Sequence, residues 1–184
     1  MQKYLTFLLL FALLACSKPD LALINQVKRF ESQWADMNTK LTFIERNLAD
    51  AAQKYPSHLQ ELRQFSPTKP GADTLSPFGN FDFRYKKMML GRDKMDVEYK
   101  QHKTTFEKDV KAFNAWNKEV MDAKMSKETA QKEFDEVKKK YTDLDLKLDS
   151  LRARTVQNID VHNKLTRDYA HTIGNFSNYN MIPH

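Results

Sequence analysis

From Leu23 to Tyr55 apolar side chains recur in alternating steps of four and three, at Leu23, Val27, Phe30, Trp34, Met37, Leu41, Ile44, Leu48, Ala51 and Tyr55. A mean step of 3.5 residues keeps one stripe on one side of an α-helix and requires a partner helix along it. Pro56 interrupts the pattern, yet His58, Leu62 and Phe65 keep the same frame. The spacing therefore predicts a helix over about 20–65 with a kink or restart at the proline.

A second frame in one unbroken register covers Phe81, Tyr85, Met88, Met95, Tyr99, Phe106, Phe113, Trp116, Val120, Ala123, Ala130, Phe134, Val137, Tyr141, Leu144, Leu148, Leu151, Leu165, Tyr169 and Phe176. Its exceptions are Arg92, His102, Asp109, Lys127, Thr155, Asn158, His162 and Thr172. Between Gly91 and Gly174 there is neither Gly nor Pro. Helix hairpins usually carry such breakers, so the sequence predicts one long helix over about 83–173, extending about 135 Å at 1.5 Å per residue. The expected fold is all-α: an elongated antiparallel coiled coil, with the helix at 20–65 packed on the long helix. The alternative is a three-helix bundle that turns near Ser126, which "MSKET" offers as an N-cap. Near Thr155, Asn158 and His162 apolar residues move to Val156, Ile159 and Val161, so the stripe is expected to slip sideways there.

Between the frames, "SPTKPGADTLSPFGNFD" at 66–82 holds three of the six prolines and two of the four glycines, and reads as a loop. It contains Phe78 and Phe81 and runs into Phe83 and Tyr85. These four aromatics suit packing over the ends of neighbouring helices; as a partner-binding tip they are the candidate contact residues.

Little in the chain suggests a reaction centre. The five histidines, His58, His102, His162, His171 and His184, make no i, i+4 metal-protease pair, and a single cysteine rules out a multi-cysteine zinc site. "DLDLKLDS" at 143–150 lacks the glycine and terminal Glu of a calcium loop. Lys138, Lys139 and Lys140 read as a solvated helix face. No catalytic residue, cofactor, metal or small-molecule substrate is expected, and the net charge of +6 is far from a nucleic-acid signature.

The amino terminus carries an address. Lys3 precedes an apolar run from Leu5 to Ala15, too short to span a bilayer and of the right length for an export signal. It closes on Leu13, Leu14, Ala15 and Cys16, which resemble the lipobox of bacterial lipoprotein precursors. The resemblance covers about the first twenty residues. It implies removal of residues 1–15 as signal peptide and acylation of Cys16 as the lipid-attachment site and new amino terminus; the length and helical composition of the remaining 16–184 suit a single helical domain. Ser17 in place of Asp implies sorting to the outer membrane, facing the periplasm. More than one acyl chain makes such anchorage durable.

Taken together, these features predict a non-enzymatic, lipid-anchored periplasmic tether or scaffold of the cell envelope. Its partners are the membrane, through Cys16, and a protein or a second copy of itself, through the heptad stripes. The alternative is a holdase for unfolded envelope proteins, similar in its basic, helical character to the periplasmic chaperone with coiled-coil tentacles.

Overall fold

In a computed structural model the described residues are 20–64, 77–122 and 124–172, and all of their regular structure is helical. There are three helices: α1 (Leu21–Gln64), α2 (Pro77–Met121) and α3 (Lys127–Thr172). Cys16, the signal segment, most of the 66–82 loop and the tail after Gly174 lie outside the described residues.

Helix α1 matches its expected bounds and runs through Pro56 without interruption. It opens on Asp20, whose carboxylate accepts the Ala22 N–H at 3.0 Å, closing the first turn as an N-cap. Helix α2 begins at Pro77, earlier than the loop reading placed it. Proline suits a first turn because the N–H it lacks has no partner there.

The continuous helix over 83–173 does not form. The chain breaks between Met121 and Lys127, as the three-helix alternative predicts. Lys124 N–H donates back to the Glu119 carbonyl at 3.0 Å, and Ser126 Oγ accepts the Thr129 N–H at 3.2 Å. Side-chain capping and one wide backbone bond, from residue i to i−5, thus replace the Gly or Pro that the sequence lacks. The energetic reason lies in the second stripe. A 44-residue α1 can cover only about half of a 91-residue partner, whereas folding back gives every segment two neighbours.

The chain divides into two compact units. In the unit of residues 20–37 and 104–145, the core is aromatic. Phe30 meets Trp34, Phe113, Phe134 and Tyr141 at ring-centroid distances of 5.8, 5.7, 5.4 and 5.0 Å. Trp116 stacks on Phe134 at 5.6 Å. Lys127, a frame exception, pairs with Asp20 at 2.8 Å, and the ion pair holds the Asp20 carboxyl below its ordinary range. The pairings 30 with 113 and 34 with 106 run in opposite chain directions, while 30 with 134 and 34 with 141 run in the same direction. Within this unit α2 is antiparallel to α1, and α3 is parallel to it.

The unit of residues 38–103 and 146–172 shows the same order of directions. Glu45 pairs with Lys103 and Tyr85 bonds the Tyr55 carbonyl, while Lys40 pairs with Asp149 and Tyr55 with Asn158. All ten α1 frame residues from Leu23 to Tyr55 are buried, as are Tyr85, Met88, Met95, Tyr99, Leu148, Leu151 and Leu165. The stripe does not slip at 155–162. Thr155 and His162 remain in the core, Ile159 joins them, and Val161 faces solvent.

Candidate functional site: a buried histidine–tyrosine relay beside a basic groove

In the second unit the frame exceptions meet the tyrosines. His162 has no exposed surface, and its ring stacks on Tyr55 at 4.2 Å. His58 Nδ1 lies 2.9 Å from His162 Nε2, and His162 Nδ1 lies 2.9 Å from the Tyr85 hydroxyl. Tyr85 donates its one proton to the Tyr55 carbonyl at 2.9 Å. Its oxygen must therefore accept from His162 Nδ1–H, which leaves His162 Nε2 to accept from His58 Nδ1–H. Tyr55 in turn donates to Asn158 Oδ1 at 2.9 Å, and Asn158 Nδ2 donates to the Met88 carbonyl at 3.0 Å. Two directional chains thus link all three helices: His58 to His162 to Tyr85 to the Tyr55 carbonyl, and Tyr55 to Asn158 to Met88.

Burial governs the protonation of this set. It drives His162 down to about 3, with help from His58 and Lys54 nearby, and it lowers His58 as well. It drives the Tyr85 and Tyr55 hydroxyls well above the ordinary phenol range. All four groups are neutral at pH 7, the state in which each donor finds an acceptor. Sealed this way, the relay fixes which turns of the three helices face each other, because a one-turn shift would strand several buried polar atoms.

Met88 and Asn158 also form part of the floor of a groove of about 550 Å³ between α2 and α3. Its lining includes Gly91, Met95, Val161 and Leu165, with Phe83, Arg84, Lys87, Lys94 and Arg154 around it. None of the lining side chains is acidic. Arg154 is held by Glu98 at 2.6 Å, and Glu98 also meets His102 at 3.4 Å.

Compared with protein-family models, curated proteins and solved structures, the chain matches none.

The four aromatics considered as a partner-binding tip do not stay together at a surface. Tyr85 belongs to the relay, and Phe81 is buried with its ring stacked on Tyr169 at 4.3 Å, so both are core residues. Phe83 is exposed and borders the groove, while the side chain of Phe78 lies outside the described residues. The sequence reading missed the roles of Tyr55, His58 and Tyr85. Their signal was the coincidence of Thr155, Asn158 and His162 on the seam of α3 with tyrosines on the facing seams. It also missed Leu90 and Val97, which sit seven and fourteen residues after Phe83, outside the core frame. Among the described residues no group of three His, Cys, Asp or Glu could hold a metal ion, and no helix is long and apolar enough to cross a membrane.

Proposed function

We propose that the chain is a lipid-anchored scaffold of a bacterial envelope, held to the outer membrane through acylated Cys16, facing the periplasm, and acting by attachment to a partner. The anchor half of this reading is supported by the lipobox at Leu13 to Cys16 closing a short apolar run. The attachment half is carried by one observation. Phe83, Leu90 and Val97 stand exposed on α2, although the stripes that pack the three helices are already buried. Apolar surface repeated at heptad spacing outside a finished core marks a seam that another molecule fills.

Nothing in this reading calls for catalysis. The His58 and His162 pair ties α1 to α3, and His162 at the centre of the relay is fully buried, with no face to offer a substrate. The test is fractionation of cells producing the wild-type chain and Cys16→Ala, together with incorporation of labelled fatty acid. The wild type is expected in the membrane fraction with label, and the variant in the soluble fraction without it. A variant that stays with the membrane would refute the anchor.

A further inference from the structure

The spacing and charge of the exposed stripe specify its occupant more closely than a general attachment surface does. Phe83, Leu90 and Val97 are 62%, 61% and 56% exposed, and they recur at intervals of seven residues on α2. Seven residues make almost two turns, so the three side chains follow one line along the helix over about 21 Å. Lys87 and Lys94 fall between them at the complementary heptad positions, and Arg84 lies beside Phe83. Arg84, Lys87 and Lys94 form no ion pair among the described residues. On the far side of the groove, α3 adds Val161 and the Glu98-bound Arg154.

We infer that the face made by this groove and the stripe along its α2 edge, where Phe83 lines the groove and Leu90 and Val97 stand just outside it, docks one acidic amphipathic helix of another protein with its carboxylates on Arg84, Lys87 and Lys94. The guest would be the fourth helix of this unit, seated between α2 and α3 as helices sit in four-helix bundles. Met88 and Met95 in the floor suit such a guest, since the unbranched thioether side chain adapts to varied apolar surfaces.

Three other occupants fit less well. A membrane surface takes up a broad apolar face, whereas this stripe is one side chain wide, with Asp93 and Asp96 exposed or half-exposed beside it. A second copy would have to offer an acidic apolar face, and the acidic stretch 143–149 exposes one leucine, Leu146, against three apolar residues here. The chain's own segment 173–184 has no acidic side chain to meet the three cations.

The inference rests on the scaffold reading, which supplies the need for a docking face, but its test is separate from the anchor. The full chain in non-ionic detergent is titrated with a labelled peptide of about 24 residues carrying Leu at a and d and Glu at e and g, read by fluorescence anisotropy. Saturable binding with a Kd of roughly 10–100 µM is expected for so small an interface. The double variant Lys87→Glu/Lys94→Glu should weaken it at least tenfold, and a peptide with Lys in place of Glu should recover binding to that variant. Leu90→Ser should also weaken it at least tenfold. All three positions are exposed, and unchanged circular dichroism confirms that the variants fold.

Four results would overturn the inference: a signal that never saturates, equal binding of a scrambled peptide of the same composition, binding unchanged by the charge reversal, or binding that appears only after residues 174–184 are removed. Adsorption of anionic vesicles that depends on Lys87 and Lys94 without peptide binding would assign the face to membrane. Self-association abolished by Leu90→Ser would assign it to a second copy. If Cys16→Ala stays with membranes while the peptide binds as expected, the anchor falls and the groove stands.

Discussion

In the unit of residues 20–37 and 104–145, Phe30 is ringed by four aromatic neighbours, and the indole N–H groups of Trp34 and Trp116 find no acceptor among the described residues. In the unit of residues 38–103 and 146–172, a buried histidine, two tyrosines and an asparagine pass hydrogen bonds from one to the next at 2.9–3.0 Å. Both arrangements fill a seam between three helices, but they specify different things. Ring packing is large in area and tolerant of small rotations, so it supplies stability. A directional hydrogen-bond chain works in one register only and supplies uniqueness at a modest net energy.

The largest effect expected from this contrast is in the aromatic unit. Phe134 is nearly fully buried between Phe30 and Trp116, and Phe134→Ala should cost about 3–5 kcal/mol in urea unfolding. A loss below about 1 kcal/mol would show that this core is not where the stability resides.

Removing a single oxygen from the relay should cost less. Tyr85→Phe keeps the ring but strands the His162 Nδ1–H and takes the donor from the Tyr55 carbonyl, an expected loss of about 1–3 kcal/mol. The matched control is Tyr141→Phe in the other unit, where the hydroxyl donates to the Gln33 carbonyl at an exposed edge. Water can replace that bond, so a loss near the low end, about 0.5 kcal/mol, is expected. Equal losses for the two variants would erase the distinction between the cores.

How much of this was legible in the sequence differs between the two units for the same reason. Phe30, Trp34, Phe113 and Phe134 lie on frame positions, and a seam of apolar side chains is what a heptad count detects. Thr155, Asn158 and His162 also lie on frame positions, but the count treats a polar side chain there as a failure. It predicted that the stripe would move to Val156, Ile159 and Val161; Ile159 is buried, but His162 and Asn158 also stay inside by pairing with His58, Tyr85 and Tyr55, and Thr155 by bonding the Leu151 carbonyl. Which tyrosine meets which histidine depends on where α2 turns, and that turn was hidden because it is made without Gly or Pro. The exposed stripe of Phe83, Leu90 and Val97 was hidden for the opposite reason, since a frame chosen for the core passes over a second, sparser frame on the same helix.

Acidification should separate the units by titration. His162 falls to about 3 in the folded chain against 6.5 for an ordinary histidine, and His58 is also lowered. Between those values the unfolded chain binds more protons than the folded one, so stability rises with pH across the window. The contribution is complete above about pH 6.5 and is lost as the pH falls towards 3. From pH 7 to pH 5 the expected loss is up to about 2 kcal/mol, measured as the shift in urea midpoint. The same comparison on His162→Leu should show most of that slope gone. The carboxylates held by ion pairs, Asp20, Glu45, Glu98 and Asp135, are lowered from their ordinary range, so their loss of stability comes mostly below about pH 5, outside the comparison of pH 7 with pH 5.

The smallest expected effect tests how tightly the relay is built. Gly91 sits inside α2 beside Asn158, where a glycine costs a helix about 0.5–1 kcal/mol relative to alanine. A Cβ added there would lie 3.5 Å from Asn158 Nδ2, an ordinary contact that leaves the amide free to reach the Met88 carbonyl. Gly91→Ala should therefore raise stability by about that amount and leave the pH slope untouched. Destabilisation with a steeper or flatter pH dependence would mean that α3 approaches α2 more closely at Asn158 than 3.5 Å allows. The relay would then owe its register to a missing side chain as much as to its hydrogen bonds.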